Sequence, residues 1–414
     1  MKDSKLIIII VILVLVLATL IVIAINPFEW KSSKNTIKST NKSEEDLNIN
    51  IDSNEEETKT DWENDNYENV ILSETLNITK AGTYHLTGKI ENGSININVQ
   101  DDDEVKLILD NVSITNSKGP AIYVENADKV IITLADGTTN TLSDGGNNED
   151  TDGCIFSKDD LVINGTGTLN ITAKSYDGIV SKDDLKIYGG IINITANDDG
   201  IRGKDSVEIK DATIKLNIKG DGIKSTNDTE KDKGYIILES CNIEIESGDD
   251  GINSETNLKI LSGTFNIVSG DDAIHANGLL QIDDGEFDLK AGEGIEATYI
   301  KINGGTININ ASDDGINAGN KSDNYSVTIE INGGDITINM GQGDTDGIDS
   351  NGNLYINGGT LNITANSPFD YDGTAQYNGG TLIVNGEETT TITNQFVGGG
   401  MPGGMNQGGM QRMH

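Results

Sequence analysis

Four short phrases in this 414-residue chain set two acids side by side: "ANDDGIRGKD" (196–205), "SGDDGINSE" (247–255), "SGDDAIHAN" (269–277) and "ASDDGINAGN" (311–320). Aligned on the isoleucine two positions later, one acid recurs as Asp177, Asp199, Asp221, Asp250, Asp272, Glu293, Asp314 and Asp346, with Asp372 continuing the series. Its neighbour is also acidic at Asp198, Asp249, Asp271 and Asp313. Carboxylates about 5 Å apart repel by roughly 0.8 kcal/mol in water and roughly 3 kcal/mol at an effective dielectric of 20. Asn would serve a turn before Gly without that cost, and the chain uses Asn freely. The choice of acid predicts a cation. Hard oxygen ligands in an adaptable site favour Ca²⁺ over zinc or copper.

These acids are positioned by a repeat. The isoleucines after the acid-Gly step are Ile155, Ile179, Ile201, Ile223, Ile252, Ile274, Ile295, Ile316 and Ile348, spaced 24, 22, 22, 29, 22, 21, 21 and 32, and Ile122 is an earlier member. Within each unit lie two further alternating strands around a glycine turn, as in "LKIYGGIINITA" (185–196) and "LYINGGTLNITA" (354–365). A unit of 21–22 residues with three short strands buries its apolar face only by stacking. The arithmetic predicts an all-β parallel β-helix with coils about 4.8 Å apart, so that equivalent acids form a column. The long spacings predict loops at 225–235 and 319–326. Residues 66 to about 120 keep strand character without the acid phrase, which predicts irregular first coils or a cap.

The formal charge of −38 excludes nucleic acid and disfavours an anionic membrane surface. The two cysteines, Cys154 and Cys241, are read as small buried residues, not a disulfide framework. Leu6–Ile25 is uncharged and long enough as a helix to cross roughly 30 Å. Residues 1–26 are therefore expected to be an uncleaved signal anchor with the body outside the cell. A cleaved signal peptide, with secretion, is the alternative. Residues 27–65 read as a disordered polar stalk, 66–395 as one β-helix, and 396–414 as a Gly/Met-rich disordered tail. A monomer is expected.

The run from "GTYHLTGKIENG" (82–93) through "CIFSKDDLVING" (154–165), "DGIVSKDDLKIYGG" (177–190) and "DDGIRGKDSVEI" (198–209) resembles the clostridial carbohydrate-binding β-helix family over roughly residues 70–395. The resemblance implies a right-handed parallel β-helix on the cell surface, bound Ca²⁺, and binding of cellulose-like and acidic, pectin-like polysaccharides. The family's fold is similar to that of Ca²⁺-dependent pectate lyases. A lyase would need a basic residue to take the α-proton of a uronate, and Arg202 and Lys224 stand directly after two of the acid phrases. Their other reading is compensation of the acid column, and a non-catalytic binder is favoured. Arg202 and Lys224 are also candidate ligands for glycan carboxylates, and the loop tyrosines Tyr235 and Tyr325 are candidate sugar platforms. A purely structural surface stalk or adhesin is the third reading.

Overall fold

A computed structural model describes residues 46–146, 150–341 and 345–394. The anchor expected over Leu6–Ile25 and the tail from 396 lie outside these residues. Among the described residues no helix is long and apolar enough to cross a membrane.

The three strand classes read from the repeat each pair in parallel with their counterpart one coil on. In the first wall Ile122 pairs with Ile155, and the row continues through Ile179, Ile201, Ile223 and Ile252. It then runs through Ile274, Ile295, Ile316 and Ile348 to Phe369. Every isoleucine of this row has no exposed surface. The other walls follow the same rule: Leu185 and Ile187 sit on Val207 and Ile209, and Ile192 and Ile194 on Ile214 and Leu216. The product is a parallel β-solenoid with one continuous apolar interior. Truncating one of its isoleucines to Ala removes about 2–5 kcal/mol.

The glycine of the acid phrase has a steric cause. A Cβ at Gly200 would lie 2.6 Å from the carbonyl oxygen of Gly222, and one at Gly222 would lie 2.2 Å from that of Gly251. The backbones of successive coils touch at these two rungs, which favours glycine there, although Ala273 takes the equivalent place in one coil. The row also extends upstream through Leu76 and Ile95 to Ile122, so the first coils belong to the same stack, with the expected irregularity in register shifts at Leu86/Gly88 and Ile97/Asn98. Both expected loops are present, at 226–234 and 319–327. Cys154 and Cys241 are free and buried. The last coil closes with an antiparallel hairpin, Thr381–Val384 against Glu387–Thr389.

One expectation is corrected. The polar stretch ending at 65 is not wholly a stalk: residues 46–59 form a strap across the outer surface of the second wall. Leu47 packs on Leu279 and Tyr299, and Ile51 packs on Ile131, Val162 and Tyr188. The strap's backbone groups are met by side chains of that wall. Gln281 Oε1 accepts from Leu47 N at 2.7 Å, Lys259 Nζ donates to Leu47 O at 2.9 Å, and Lys186 Nζ donates to Asp52 O at 2.6 Å. Asn164 Nδ2 donates to Glu57 O at 2.7 Å. A one-turn helix, Glu55–Thr58, is held by a reciprocal cap between Asn54 and Glu57. Glu57 also pairs with Lys186 at 3.3 Å and with Lys129 at 2.5 Å. Outward residues of the second wall, such as Lys259 and Gln281, are thereby buried yet partnered.

Candidate functional site

The predicted acids do form one column on the first wall. Asp177, Asp199, Asp221, Asp250 and Asp272 are buried, while Asp198, Asp249, Asp271 and Asp313 stand exposed beside them at the turn. Asp372 does not continue the series: Ser367 occupies the next rung above Asp346. Four of these buried carboxylates, and that of half-buried Asp314, accept the backbone N–H of the acid one coil on. Asp177 Oδ1 takes it from Asp199 at 3.0 Å, Asp199 from Asp221 at 2.9 Å, Asp221 from Asp250 at 3.0 Å, Asp250 from Asp272 at 2.9 Å, and Asp314 from Asp346 at 3.1 Å. One oxygen of each therefore has a structural role, the backbone bond that a turn Asp often makes. The second oxygen is free for other chemistry.

What that second oxygen meets depends on the residue after the isoleucine. In the early coils it is a fixed cation. Arg202 Nε donates to Asp177 Oδ2 at 2.8 Å, and Arg202 Nη2 reaches both Asp177 and Asp152. Lys224 Nζ lies 2.6 Å from Asp221 Oδ2 and 3.8 Å from Asp199 Oδ2. Burial works to lower the pKa of Arg202, but the carboxylates of Asp177 and Asp152 outweigh it and raise the value. Lys224 is raised in the same way against burial, by Asp199 and Asp221. Both groups hold their protons and are engaged by acids, which leaves neither placed as a proton acceptor. These ion pairs are the compensation of the acid column that was one of the two readings of Arg202 and Lys224.

In the later coils the same position is Asn253, His275, Glu296, Asn317 and Asp349. Asn253 Nδ2 donates to Asp250 Oδ2 at 2.7 Å. His275 Nδ1 lies 2.8 Å from Asp272 and 2.9 Å from Glu296, and these carboxylates overcome burial to lift the imidazole to about 10. Glu296 is pulled to about 2 against burial, by His275 and Lys321. The buried carboxyls of the column move up at both ends. Burial pushes Asp177 up to about 7 even beside Arg202, Asp250 and Asp314 up to about 7 and Glu293 up to about 8, and neighbouring acids add to the rise.

Three groups of ligand atoms within 4.8 Å of one another overlap along this stretch: Asp221, Asp249 and Asp250; Asp250, Asp272 and His275; Asp272, Glu293 and Glu296. The first and third offer only oxygens, as Ca²⁺ requires, whereas the second includes an imidazole held protonated. The residues fit a hard cation on a further ground. Asn317 donates through Nδ2 to Glu293 at 2.9 Å and Glu296 at 3.2 Å, while its buried Oδ1 has no hydrogen-bond partner. An orphaned amide oxygen beside two carboxylates is a ligand of the type Ca²⁺ takes.

Glu296 was not legible as a site residue, because its position is basic or neutral in the preceding coils. A fourth group, Asp160, Asp183 and Asp184, lies at another turn, and its signal was the repeated "SKDDL" phrase. The two loop tyrosines separate. Tyr235 is half-buried with its hydroxyl 3.3 Å from Glu208, in the network beneath the strap. Tyr325 instead lines a surface groove.

A family model described as "Carbohydrate-binding domain-containing protein" matches residues 73–344 and 270–396. The chain belongs to this family. A relative with the same description, from Acetivibrio thermocellus, is 37% identical over 140 residues, or 32% of this chain and 49% of that protein. The match thus spans about half the relative's length. A solved structure described as a polysaccharide lyase-like protein from C. thermocellum, as a gadolinium derivative, is 26% identical with a TM-score of 0.38, over 75% of this chain and 87% of that one.

Proposed function

We propose that this member of the carbohydrate-binding family is a non-catalytic, calcium-dependent binder of plant cell-wall polysaccharide. The observation that carries the reading is the acid column, whose carboxylates outnumber the cations set among them and gather into oxygen-only groups. Asp221, Asp249 and Asp250 would hold one ion, beside Lys224, and Asp272, Glu293 and Glu296 another, beside His275 and Lys321. Bound Ca²⁺ supplies charge neutralisation and coordination positions for a uronate carboxylate. The protein's own residues supply the rest: the backbone ladder fixes one oxygen of Asp221 and one of Asp250 and orients the other. A body of charge −38 repels a polyuronate unless such a bridge exists. A neutral, cellulose-like glycan needs no bridge. The engagement of Arg202 and Lys224 by carboxylates supports binding over lyase chemistry. On the sequence reading of Leu6–Ile25, the solenoid is presented outside the cell as a monomer.

The test is differential sedimentation with insoluble pectate and with cellulose. Chelator should abolish retention on pectate and leave retention on cellulose largely intact. Release of unsaturated uronates, read by their absorbance in the presence of Ca²⁺, should be absent. Equal retention on pectate with and without chelator overturns the bridge, and steady uronate release overturns the non-catalytic reading.

A further inference from the structure

The two loops that interrupt the coil repeat leave the solenoid four coils apart, after Ile223 and after Ile316, yet they line one groove. Its third wall is the strap, at Leu47, Asn48 and Ile49. The groove encloses about 490 Å³, within the range of small-ligand sites. Its lining includes Gly278, which lets the Tyr325 ring lie close: a Cβ there would come 3.1 Å from the ring and 2.6 Å from the carbonyl oxygen of Thr256. The ring is seated on the cluster of Leu47, Leu279 and Tyr299. An aromatic face supported in this way is a platform for the apolar face of a sugar ring.

The polar lining narrows the ligand. Asn48, Asn257 and Asn324 offer amides, each able to donate and accept. Asp228, Glu230, Asp232 and Glu255 line the groove with one lysine, Lys231, while Glu230 lies 3.5 Å from Lys233. Such a rim accepts hydrogen bonds from hydroxyls and repels carboxylates. We propose that this groove is a subsite for a neutral, hydroxyl-rich glycan chain, and that strap residues 47–49 are part of it. The proposal rests on the carbohydrate-binding reading above and divides the work: acidic glycan on the acid column, neutral glycan in the groove.

Calorimetry of the full chain with cellohexaose and with an oligogalacturonate, each with Ca²⁺ present, tests it. Tyr325→Ala should weaken cellohexaose by about tenfold or more and leave oligogalacturonate unchanged. Loss of Tyr325 also loosens the strap's seat, so a second variant is needed. Asn48→Trp places bulk at an exposed wall position and should block cellohexaose to a similar degree without lowering the melting temperature. Unchanged cellohexaose affinity in both variants overturns the groove and leaves the carbohydrate-binding reading standing. Equal weakening of both glycans also overturns it. An intact chain that binds oligogalacturonate but not cellohexaose removes the groove alone, and one that binds neither removes both readings.

Discussion

The early and late coils of the acid column use the same phrase and the same backbone ladder, yet they solve the charge problem differently. Around Asp177, Asp199 and Asp221 the chain supplies its own cations, Arg202 and Lys224, one residue past the isoleucine. Around Glu293, Asp314 and Asp346 that residue is Glu296, Asn317 or Asp349. In the early coils the internal cation stands at that position, whereas in the later coils it comes from His275 and from the loop residue Lys321, 2.7 Å from Glu296. His275 marks the crossover, a protonated imidazole between Asp272 and Glu296. Coils of a solenoid interact mainly with their neighbours, so the two regimes can coexist in one chain.

The largest effect should come from breaking the internally neutralised end. Arg202→Ala leaves Asp177, 1% exposed, and its neighbour Asp152 without their guanidinium. Removing one partner of a buried ion pair costs about 3–5 kcal/mol. Chemical denaturation should show that loss, and added Ca²⁺ should restore little of it. Full rescue by Ca²⁺ would mean that the two ends are interchangeable.

The next effect concerns the other end. A ligand held only by the folded state stabilises by about 2.7 kcal/mol at one hundred times its dissociation constant. Chelator should therefore lower the melting temperature by a few degrees. The double substitution Asp250→Ala and Asp272→Ala should remove most of that sensitivity, because both candidate oxygen-only groups lose a member. A chelator response that survives the double substitution places the ion elsewhere, with Asp160, Asp183 and Asp184 the first alternative.

Much of this was legible in the sequence, for a physical reason. The isoleucine row and its spacing are enforced coil by coil by a core that accepts only one register, so the repeat reveals the solenoid and the column. The strap was not legible as an ordered element. Its apolar signal is only Leu47, Ile49 and Ile51 in a polar stretch, and its partners lie far along the chain, Lys259 being 212 residues from Leu47. The pairing of Arg202 with Asp152 across two coils was hidden as well, because Asp152 precedes Gly153 and stands outside the aligned acid series. The groove escaped because its walls come from three separated segments that meet only in the fold.

A smaller effect follows from pH. Asp250 and Asp314 stand near 7 and Glu293 near 8, raised by burial and by neighbouring acids above their ordinary values of 3.8 and 4.5, and Asp177 of the early coils stands near 7 as well. A carboxyl with a raised folded-state pKa binds its proton more tightly in the folded chain. Its stabilising contribution is complete below the unfolded pKa and is lost as pH rises through the folded one. Without Ca²⁺, the contribution of these groups to the melting temperature should therefore fall from about pH 4 to about pH 8. With Ca²⁺ the decline should flatten, because the metal needs the ionised form. A chelated protein whose stability rises across that window would show that the late coils are already neutralised from within.

The smallest expected effect is also the sharpest test of the comparison. Asn253 stands in the same row as Lys224 and Arg202, one coil beyond Lys224, with its amide 2.7 Å from Asp250 Oδ2. Asn253→Lys would extend the early solution by one rung. A lysine is longer than an asparagine, but the position is only half-buried, and Lys224 already takes this pose beside Asp221. The new ammonium should pair with Asp250 and lower its pKa, which removes part of the need for a metal at Asp221, Asp249 and Asp250. Stability under chelation should rise by about 1 kcal/mol, the scale of a partly exposed ion pair. Calcium titration should lose the affinity of that group while the group at Asp272, Glu293 and Glu296 keeps its own. If Asn253→Lys instead leaves both calcium affinities and the chelated stability unchanged, the residue after the isoleucine does not set the charge balance of its coil.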